Sequence, residues 1–490
     1  MRGRAILKRA KRWLFLGHRW LGIGTGLLFV AWFLSGLVMM YVGFPSLTET
    51  ERRAGLPPIA WDEVAIGPGA ALAAAGIDGL PRDLRLGMLA GRPVYRITGW
   101  DGRRSTVAAR DGTRIDAVST GEALAVAARD PRAAAPSLIG EIGRDQWSVT
   151  ARFDPLRPFH LIALGDAEDT RLYVSARTGE IALDTTRSER IWNWLGAVTH
   201  WIYPTPLRAE ADLWRDVVLW VSGVAALNAG AGLVAGILRL RLRRRYPTGA
   251  ATPYRGLAAW HHIGGLVGGV SLLAFIVSGW LSMNPNRWFS SPNPPRDMLE
   301  RYAGTPERGL ALDPSALRAA GSDVVELRFA AVGGRPQAIA LHRDRRSERC
   351  CAPTSDLAAA IRAAAPRLLP SASPVRFETL AEEDAYWYSH HRERVLPVIR
   401  VVFDDADATW FHVDPGTGEV LNRLDRSGRI NRWVFNGLHT LDFGLLLRHR
   451  PAWDIVLWLL SAAGLVVSIS GTVMGWRRLR TRAARRPRPA

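Results

Sequence analysis

The histidines are the residues whose type and spacing could do chemistry, because an internal repeat places several of the eleven at equivalent positions. Residues 18–40 (HRWLGIGTGLLFVAWFLSGLVMM) align without a gap on residues 261–283 (HHIGGLVGGVSLLAFIVSGWLSM), and His18 falls on His261. His262 is an alternative to His261, but adjacent helical residues point about 100° apart, so only one can face a given neighbour. The repeat favours His261.

A second pair of histidines lies on the approaches to two later helices. Residues 190–200 (RIWNWLGAVTH) match residues 429–439 (RINRWVFNGLH), which sets His200 opposite His439. Prolines soon after each segment interrupt any helix there. We therefore expect both histidines on short helices near one membrane interface.

These four histidines could bind haem iron. Imidazole is its usual axial ligand, and facing helices of a bundle commonly hold it. Because equivalent positions of related helices approach the bundle axis, His18 can face His261 and His200 can face His439. The pattern predicts two haem sites, one near each membrane face and about 20–30 Å apart, which would form a transmembrane electron path. The alternative is that all four are interfacial polar residues without a ligand.

Glycines around the first pair fit two interpretations equally well. They would let a flat macrocycle approach the backbone, or they would serve tight helix–helix contact. The glycines concerned are Gly22, Gly24, Gly26, Gly264, Gly265, Gly268 and Gly269.

Four apolar runs are long enough to cross a bilayer, at about 13–42, 213–238, 257–283 and 453–476. Three basic segments next to these runs hold twenty of the 64 Lys and Arg residues and contain no acidic residue. Without them, basic residues no longer outnumber the 45 acidic ones. Basic charge confined to short juxtamembrane segments is typical of cytoplasmic loops and argues against nucleic-acid binding.

The predicted protein is a membrane α-helical four-span bundle with an internal two-fold repeat, and both termini are cytoplasmic. Each of the two long connections should form an α+β domain outside the membrane. The segments are 1–43 (first span with its basic N-terminus), 44–210 (first outer domain), 211–238 (second span), 239–256 (basic cytoplasmic loop), 257–283 (third span), 284–450 (second outer domain), 451–476 (fourth span) and 477–490 (basic cytoplasmic tail).

The outer domains also repeat each other. Residues 169–181 (DTRLYVSARTGEI) match residues 408–420 (ATWFHVDPGTGEV), and both have the pattern of a strand, a Thr-Gly-Glu turn and a second strand. Ala-rich stretches at 120–129 and 354–365 have helical spacing.

Other candidate residues in the outer domains are weaker. Cys350 and Cys351 could form a strained vicinal disulfide, although incidental thiols are the preferred interpretation, and four-thiolate iron–sulfur clusters are excluded. The run 386–392 (YWYSHHR) could form a substrate-facing patch for an anionic chelate. We expect four further histidines of the outer domains to be ordinary exposed residues: His160, His390, His391 and His412.

Several of these features together resemble the PepSY-associated transmembrane helix family, the bacterial iron-regulated membrane proteins. The resemblance covers nearly the whole chain. It rests on the four-span layout and on short motifs: the His-X-Trp-Leu-Gly start of the first helix, the stretch 145–149 (DQWSV), the Tyr-Val-Ser-X-X-Thr-Gly-Glu turn and the Leu-His pair before the last span.

The resemblance implies two periplasmic PepSY-like domains and an inner-membrane siderophore reductase that binds haem b. The family's histidines carry over to His18, His200, His261 and His439. Unlike relatives with an attached flavin module, this chain has no Gly-X-Gly-X-X-Gly nucleotide fingerprint in any cytoplasmic segment, so electrons would come from a separate cytoplasmic donor or from quinol.

The expected function is therefore reduction of a periplasmic ferric siderophore by electrons passed across the membrane through two haem groups. No catalytic residue beyond the haem ligands can be assigned. The alternative is a non-enzymatic, membrane-anchored PepSY module that binds or inhibits a periplasmic partner. A permease is disfavoured because no span carries an ionisable residue at mid-membrane.

Overall fold

The computed structural model describes residues 2–305, 310, 312–351, 356–390 and 393–484. Five helices form the helical bundle: α1 Arg2–Met39, α7 Ala211–Arg239, α8 Leu257–Val267, α9 Gly269–Ser282 and α15 Ala452–Ala484. The shorter helices are α2 Glu49–Ala54, α3 Pro68–Ala75, α4 Thr120–Ala127, α5 Arg187–Asn193, α6 Thr205–Ala209, α10 Arg296–Ala303, α11 Pro314–Leu317, α12 Leu357–Ala364, α13 Arg426–Asn431 and α14 Gly444–Arg448.

The strands all belong to the two long connections. They are β1 Asp83–Leu89, β2 Arg92–Thr98, β3 Arg104–Ala108, β4 Arg114–Ile115, β5 Ser137–Ile142, β6 Phe159–Ala163, β7 Arg171–Ser175, β8 Ile181–Thr185, β9 Val324–Val332, β10 Arg335–His342, β11 Ser347–Cys350, β12 Pro374–Leu380, β13 Val398–Phe403, β14 Trp410–Val413 and β15 Val420–Leu424.

Within the described residues, α1, α7 and α15 are each long and apolar enough to cross a membrane, and α8 with α9 forms a bent pair that could serve as a fourth span. Helix α1 packs against α7 and α15, α7 packs against α9, and α8 packs against α15. Large apolar side chains face away from these contacts: Leu27, Trp220, Leu227, Val267 and Leu459 are 66–77% exposed. Such a belt would be costly in water and is what hydrocarbon-facing helices present.

The third apolar run differs from the expected continuous helix. It bends by 61° between α8 and α9, at Gly268. A Cβ on Gly268 would lie 3.0 Å from the carbonyl oxygen of Ala463 on α15, so the two backbones are in close contact there. Glycine is a poor helix former and permits this approach, which explains a bend that apolar periodicity does not reveal.

The two outer segments are joined, although the sequence predicted one α+β unit for each. Each segment has its own antiparallel four-stranded sheet, β5-β6-β7-β8 in the first and β12-β13-β14-β15 in the second. A further seven-stranded sheet, ordered β11-β10-β9-β1-β2-β3-β4, combines strands of both segments. Strand β1 pairs antiparallel with β9, with Leu86 opposite Leu327. The pairing covers what would otherwise be two bare strand edges.

The two Thr-Gly-Glu turns form as the sequence predicts and attach each four-stranded sheet to the shared one. Gly179 and Gly418 adopt φ of +67° and +75°, a region that glycine tolerates. A Cβ at Gly179 would lie 2.2 Å from Cδ1 of Leu89, and one at Gly418 would lie 2.6 Å from Cγ2 of Val332. Both turns therefore pack directly onto the ends of central strands.

Candidate functional site: two pairs of histidines

The inner pair consists of His18 on α1 and His261 on α8. Their ring centroids are 6.2 Å apart, and the ring planes differ by 23°. Nδ1 of His18 lies 3.2 Å from the backbone carbonyl oxygen of Asn228 and 3.0 Å from its side-chain Oδ1. Nδ1 of His261 lies 3.1 Å from both the carbonyl oxygen of Val467 and Oγ of Ser470. Each inner histidine is thus held by the second long helix of its own half.

The outer pair consists of His200 and His439, whose ring centroids are 6.1 Å apart with planes at 68°. Nδ1 of His200 lies 3.1 Å from both the carbonyl oxygen of Trp32 and Oγ of Ser35, on α1. The second half repeats this arrangement on α9: Nδ1 of His439 lies 3.0 Å from the carbonyl oxygen of Phe275 and 3.1 Å from Oγ of Ser278.

All four histidines share one hydrogen-bonding state. In each, Nδ1 faces a backbone carbonyl, which can only accept a hydrogen bond, so the proton lies on Nδ1. Among the described residues, none forms a hydrogen bond with Nε2 of any of the four. A neutral imidazole fixed through Nδ1 with a free Nε2 lone pair is the usual state of a metal-ligating histidine.

A glycine lies against the ring of each histidine. A Cβ on Gly232 would lie 2.5 Å from Cε1 of His18, and one on Gly471 would lie 3.0 Å from Cε1 of His261. For the outer pair the corresponding distances are 3.2 Å from Gly279 to His439 and 3.4 Å from Gly36 to His200. Each half of the repeat therefore contains both the histidines and the glycines that leave room for their rings.

A π-helical turn precedes each outer histidine, at Trp194–Val198 and at Arg432–Gly437. The first contains Gly196 in a non-helical conformation (φ −88°, ψ −106°), and a Cβ there would lie 3.0 Å from Cγ1 of Val38 on α1. Such turns are rare and often occur at functional sites, because they reorient the residues that follow.

The separation of the rings fits a shared iron atom. A metal–imidazole bond is about 2 Å long and the ring centroid lies about 1.1 Å further, so two imidazoles on opposite sides of one metal have centroids about 6.2 Å apart. The observed separations are 6.2 Å and 6.1 Å. Both pairs are thus spaced to ligate one metal ion between them, which is also the donor set of a bis-histidine haem.

A cavity of about 480 Å³ borders the inner pair. Its volume lies within the range of small-molecule and cofactor sites. Arg19 and Arg478, both exposed, line its open end. Small residues of all the bundle helices line much of the rest: Gly22, Gly26, Gly232, Gly236, Gly265, Gly269, Gly471 and Gly475.

His262 does not face the inner partner. It is buried, and its Nδ1 and Nε2 lie 2.8 Å from Oγ1 of Thr252 and 2.9 Å from the carbonyl oxygen of Gly236. Since both nitrogens have hydrogen-bond partners, His261 is the available ligand of the two.

Aromatic rings pack against His439 of the outer pair. The ring of Phe435 is stacked on His439 at 5.3 Å, and that of Phe275 meets it edge-on at 6.1 Å. Burial, and to a smaller extent the neighbouring His439, lowers the pKa of His200 to about 4, and burial also lowers the pKa of His439. Both rings are therefore neutral at physiological pH, the state that ligates metal.

An apolar cluster separates the two pairs. Its buried members include Phe29 and Leu272, which also line the inner cavity, and Phe33, whose ring meets Phe275 at 6.1 Å. A Cβ on Gly464 would lie only 2.1 Å from the Phe33 ring, so the ring packs in the space that this glycine leaves.

The outer-domain histidines are more buried than the sequence suggested. His160 and His412 are 5% and 0% exposed. Nε2 of His160 lies 2.8 Å from the carbonyl oxygen of Val118, and Nδ1 of His412 lies 2.6 Å from Oδ1 of Asn422. These side chains complete the hydrogen bonding of sheet interiors. Burial lowers the pKa of His412 to about 4.

The run 386–392 is not an exposed patch in its described part, residues 386–390; His391 and Arg392 lie outside the described residues. Trp387 is 1% exposed and is stacked on His412 at 4.6 Å. Nδ1 of His390 lies 3.0 Å from Oδ1 of the buried Asp442. Trp387 is buried because it packs against the four-stranded sheet that carries His412. Cys350 and Cys351 are free thiols, both half-buried.

The sequence did not single out the groups that orient the histidines. These are the carbonyls, hydroxyls and amide that face Nδ1 and the four glycines that face the rings. A signal was present for some of them: Ser35-Gly36 aligns with Ser278-Gly279 in the repeat, and Gly232 aligns with Gly471.

No protein-family model and no curated protein matches this chain.

Proposed function

We propose that this protein is a haem-containing reductase of a bacterial inner membrane, which passes electrons across the membrane and reduces ferric-siderophore chelates on the periplasmic side to release their iron. The observation that carries the proposal is the spacing of the two histidine pairs, 6.2 and 6.1 Å between centroids, with each Nδ1 bonded and each Nε2 unbonded within the described residues. When bound, two haem b groups supply one-electron transfer.

Charge distribution supports the proposed orientation. In the sequence, the basic segments 1–19, 239–256 and 477–490 adjoin or overlap the ends of the bundle helices that carry His18 and His261 or their hydrogen-bond acceptors. Positively charged short segments stay in the cytoplasm, so the inner pair would lie near the cytoplasmic face and the two sheet-containing segments in the periplasm. Arg19 and Arg478 would pair there with the carboxylates of the macrocycle.

The spacing of the pairs along α1 supports a path across the membrane. His18 belongs to the inner pair, and Trp32 and Ser35 hold His200 of the outer pair. Fourteen to seventeen helical residues correspond to about 21–26 Å, most of the hydrocarbon thickness. Buried apolar side chains around Phe29 and Phe33 lie between the pairs.

The substrate rests on the family resemblance. Reduction of Fe(III) to Fe(II) weakens binding to hard oxygen ligands, which would free the metal. The electron donor is a separate cytoplasmic protein or quinol, and membrane lipid surrounds the bundle.

The test begins with full-length protein purified in detergent after haem-replete expression. We expect a red protein with low-spin bis-histidine absorption bands and two haem groups per chain by pyridine haemochromogen assay. After chemical reduction under anaerobic conditions, added ferric siderophore should reoxidise the haem while a ferrous chelator captures Fe(II). The double variant His18→Ala/His200→Ala is the matched control and should be colourless and inactive.

Two results would contradict the proposal at different levels. A colourless wild-type protein would remove the haem assignment and favour the non-enzymatic PepSY binding or inhibitor module. A red protein whose haem is not reoxidised by ferric chelates would retain electron transfer but remove the siderophore as substrate.

A further inference from the structure

A small cavity in the outer part of the molecule lies where the two outer segments meet. Its volume is about 160 Å³. The chain that follows α2, the tip of the β1–β2 hairpin, helix α4, the turn at Gly179 and Glu326 of β9 surround it. None of the four paired histidines lines it, so it is separate from the proposed haem sites.

Charged side chains line the cavity, and its two carboxylates are both bound by arginines. Nη1 and Nη2 of Arg52 donate to Oε2 and Oε1 of Glu326, both at 2.9 Å. The oxygens of Glu180 accept from Arg85 at 2.6 Å and from Arg104 at 3.0 Å. Every oxygen of both carboxylates thus lies against an arginine other than Arg96.

Within the described residues, Arg96 is the buried arginine of this group that makes no direct ion pair, although the carboxylates of Glu180 and Glu326 attract it at longer range. It is 7% exposed and lines the cavity. Its Nη2 donates to the carbonyl oxygen of Met88 at 3.1 Å. Within the described part of the chain, no residue accepts a hydrogen bond from its Nε or Nη1, and Arg96 forms no ion pair. A guanidinium removed from water with one carbonyl acceptor is costly unless a further anion is present.

The entrance and the walls suggest what that anion is. Arg129, which follows the end of α4 and has an exposed side chain, adds a second positive charge at the cavity. Apolar groups cover part of the wall: Leu56, Pro57, Met88 and Val126. The volume suffices for a short carbon chain with one charged end.

We propose that this cavity is a binding site for a small carboxylate, with the charged end on Arg96 and the carbon skeleton against the apolar wall. The planar fork of a guanidinium matches the two oxygens of a carboxylate. A carbon skeleton also makes use of the apolar wall, which inorganic phosphate would leave uncovered. Glu326 comes from the second segment and the other walls from the first, so the cavity lies where the two segments meet. The proposal does not depend on haem binding.

The experiment measures binding to the full-length protein in detergent, by calorimetry at constant ionic strength with chloride as the background anion. The probes are acetate, propionate, succinate and inorganic phosphate. We expect saturable binding of at least one carboxylate. Arg96→Gln should weaken it more than tenfold, since hydrogen bonds to charged groups contribute strongly. Arg129→Gln should weaken it about two- to fivefold, because an exposed charge is screened.

Two further variants keep the test decisive. Arg103→Gln, in the exposed turn before β3, is the control and should bind as the wild type does. Ala125→Phe, on the exposed face of α4 beside the cavity, should block binding without changing the buried network, so it tests the site even if Arg96→Gln does not fold. Absence of saturable carboxylate binding, undiminished binding in Ala125→Phe, or binding of phosphate alone would overturn the proposal.

Discussion

The inner pair, His18 and His261, and the outer pair, His200 and His439, are built from the same parts in different surroundings. In both pairs each Nδ1 faces a carbonyl and a glycine faces each ring. The inner glycines are tighter, at 2.5 and 3.0 Å against 3.2 and 3.4 Å, and the inner ring planes differ by 23° against 68°. The repeat thus determines which residues form a pair, and local packing determines how the rings are turned.

The surroundings differ as much as the rings. The inner pair borders a cavity of about 480 Å³ lined by glycines. In the outer pair, His439 packs against Phe275 and Phe435, and each histidine follows a π-helical turn. The inner site therefore depends on small residues that leave space, and the outer site on aromatic packing and an irregular backbone.

Removing one imidazole should have the largest effect and tests whether the pairs are separate sites. We expect His18→Ala and His261→Ala to abolish one haem, and His200→Ala and His439→Ala to abolish the other, with a fall from two haem groups to one in the pyridine haemochromogen assay. Electron paramagnetic resonance identifies the lost site, because near-parallel and near-perpendicular imidazole planes give different low-spin signals. His262→Ala is the control and should keep both. Two haem groups in all four variants would remove the ligand assignment.

The distances from the glycines to the histidine rings predict that a glycine-to-alanine substitution harms the inner site more than the outer site. Gly232→Ala puts a Cβ 2.5 Å from Cε1 of His18, so the ring must move, and we expect the inner haem to be lost or bound more than tenfold more weakly. Gly36→Ala is the matched outer substitution, with a Cβ 3.4 Å from His200, and should retain both haem groups. Haem titration of the apoprotein measures both. Equal effects of the two substitutions would show that the clearances do not distinguish the sites.

Acid should destabilise the outer sheets before it destabilises the helical bundle. Burial raises the pKa of Glu180, but Arg85, Arg96 and Arg104 outweigh it and lower this pKa from 4.5 to about 2. Its stabilisation is complete above the unfolded value of 4.5 and is lost as the pH falls towards about 2. We expect the β-sheet circular dichroism signal to lose thermal stability in this range before the helical signal does.

The variant Glu180→Gln should lower the stability of the sheets at pH 7 by about 3 kcal/mol, since it leaves buried arginines unpaired. It should also flatten the dependence on pH below 4.5. An unchanged acid transition in this variant would assign the sensitivity to other carboxylates.

We expect the smallest effect from removing the side chains that face Nδ1 of the inner histidines, and this test compares the two halves of the repeat. Asn228 fixes His18 and also donates from Nδ2 to Oγ1 of Thr25, whereas Ser470 fixes His261. In both halves a backbone carbonyl still faces Nδ1 when the side chain is removed. We expect Asn228→Leu to weaken inner haem binding by up to about tenfold and Ser470→Ala by less. Redox titration should show a shift of the inner midpoint potential only, and a shift of the outer one would contradict the assignment.

The sequence predicted the parts of the molecule that depend on local pattern. Apolar length located the long helices, the repeat aligned His18 with His261 and His200 with His439, and the Thr-Gly-Glu motif located two hairpins. These features are encoded within a few turns of chain or by self-comparison, so one sequence suffices to find them.

Features that depend on distant partners could not be predicted. The pairing of β1 with β9 joins residues about 240 positions apart, and neither strand carries a mark of its partner. The bend at Gly268 exists because Ala463 lies against it. His412 and Trp387 read as surface residues until a sheet is placed around them. Arg96 looks like any strand arginine, and only its burial distinguishes it.

The shared sheet has a consequence for how such a chain is made. Until Val332 has been synthesised, the edge of β1 stays uncovered and the first half holds only one histidine of each pair. Neither half alone can enclose a metal between two rings. Strand β9 follows His261 and precedes His439 in the chain, so β1 can be covered once the inner pair is complete and before the outer pair has its second histidine.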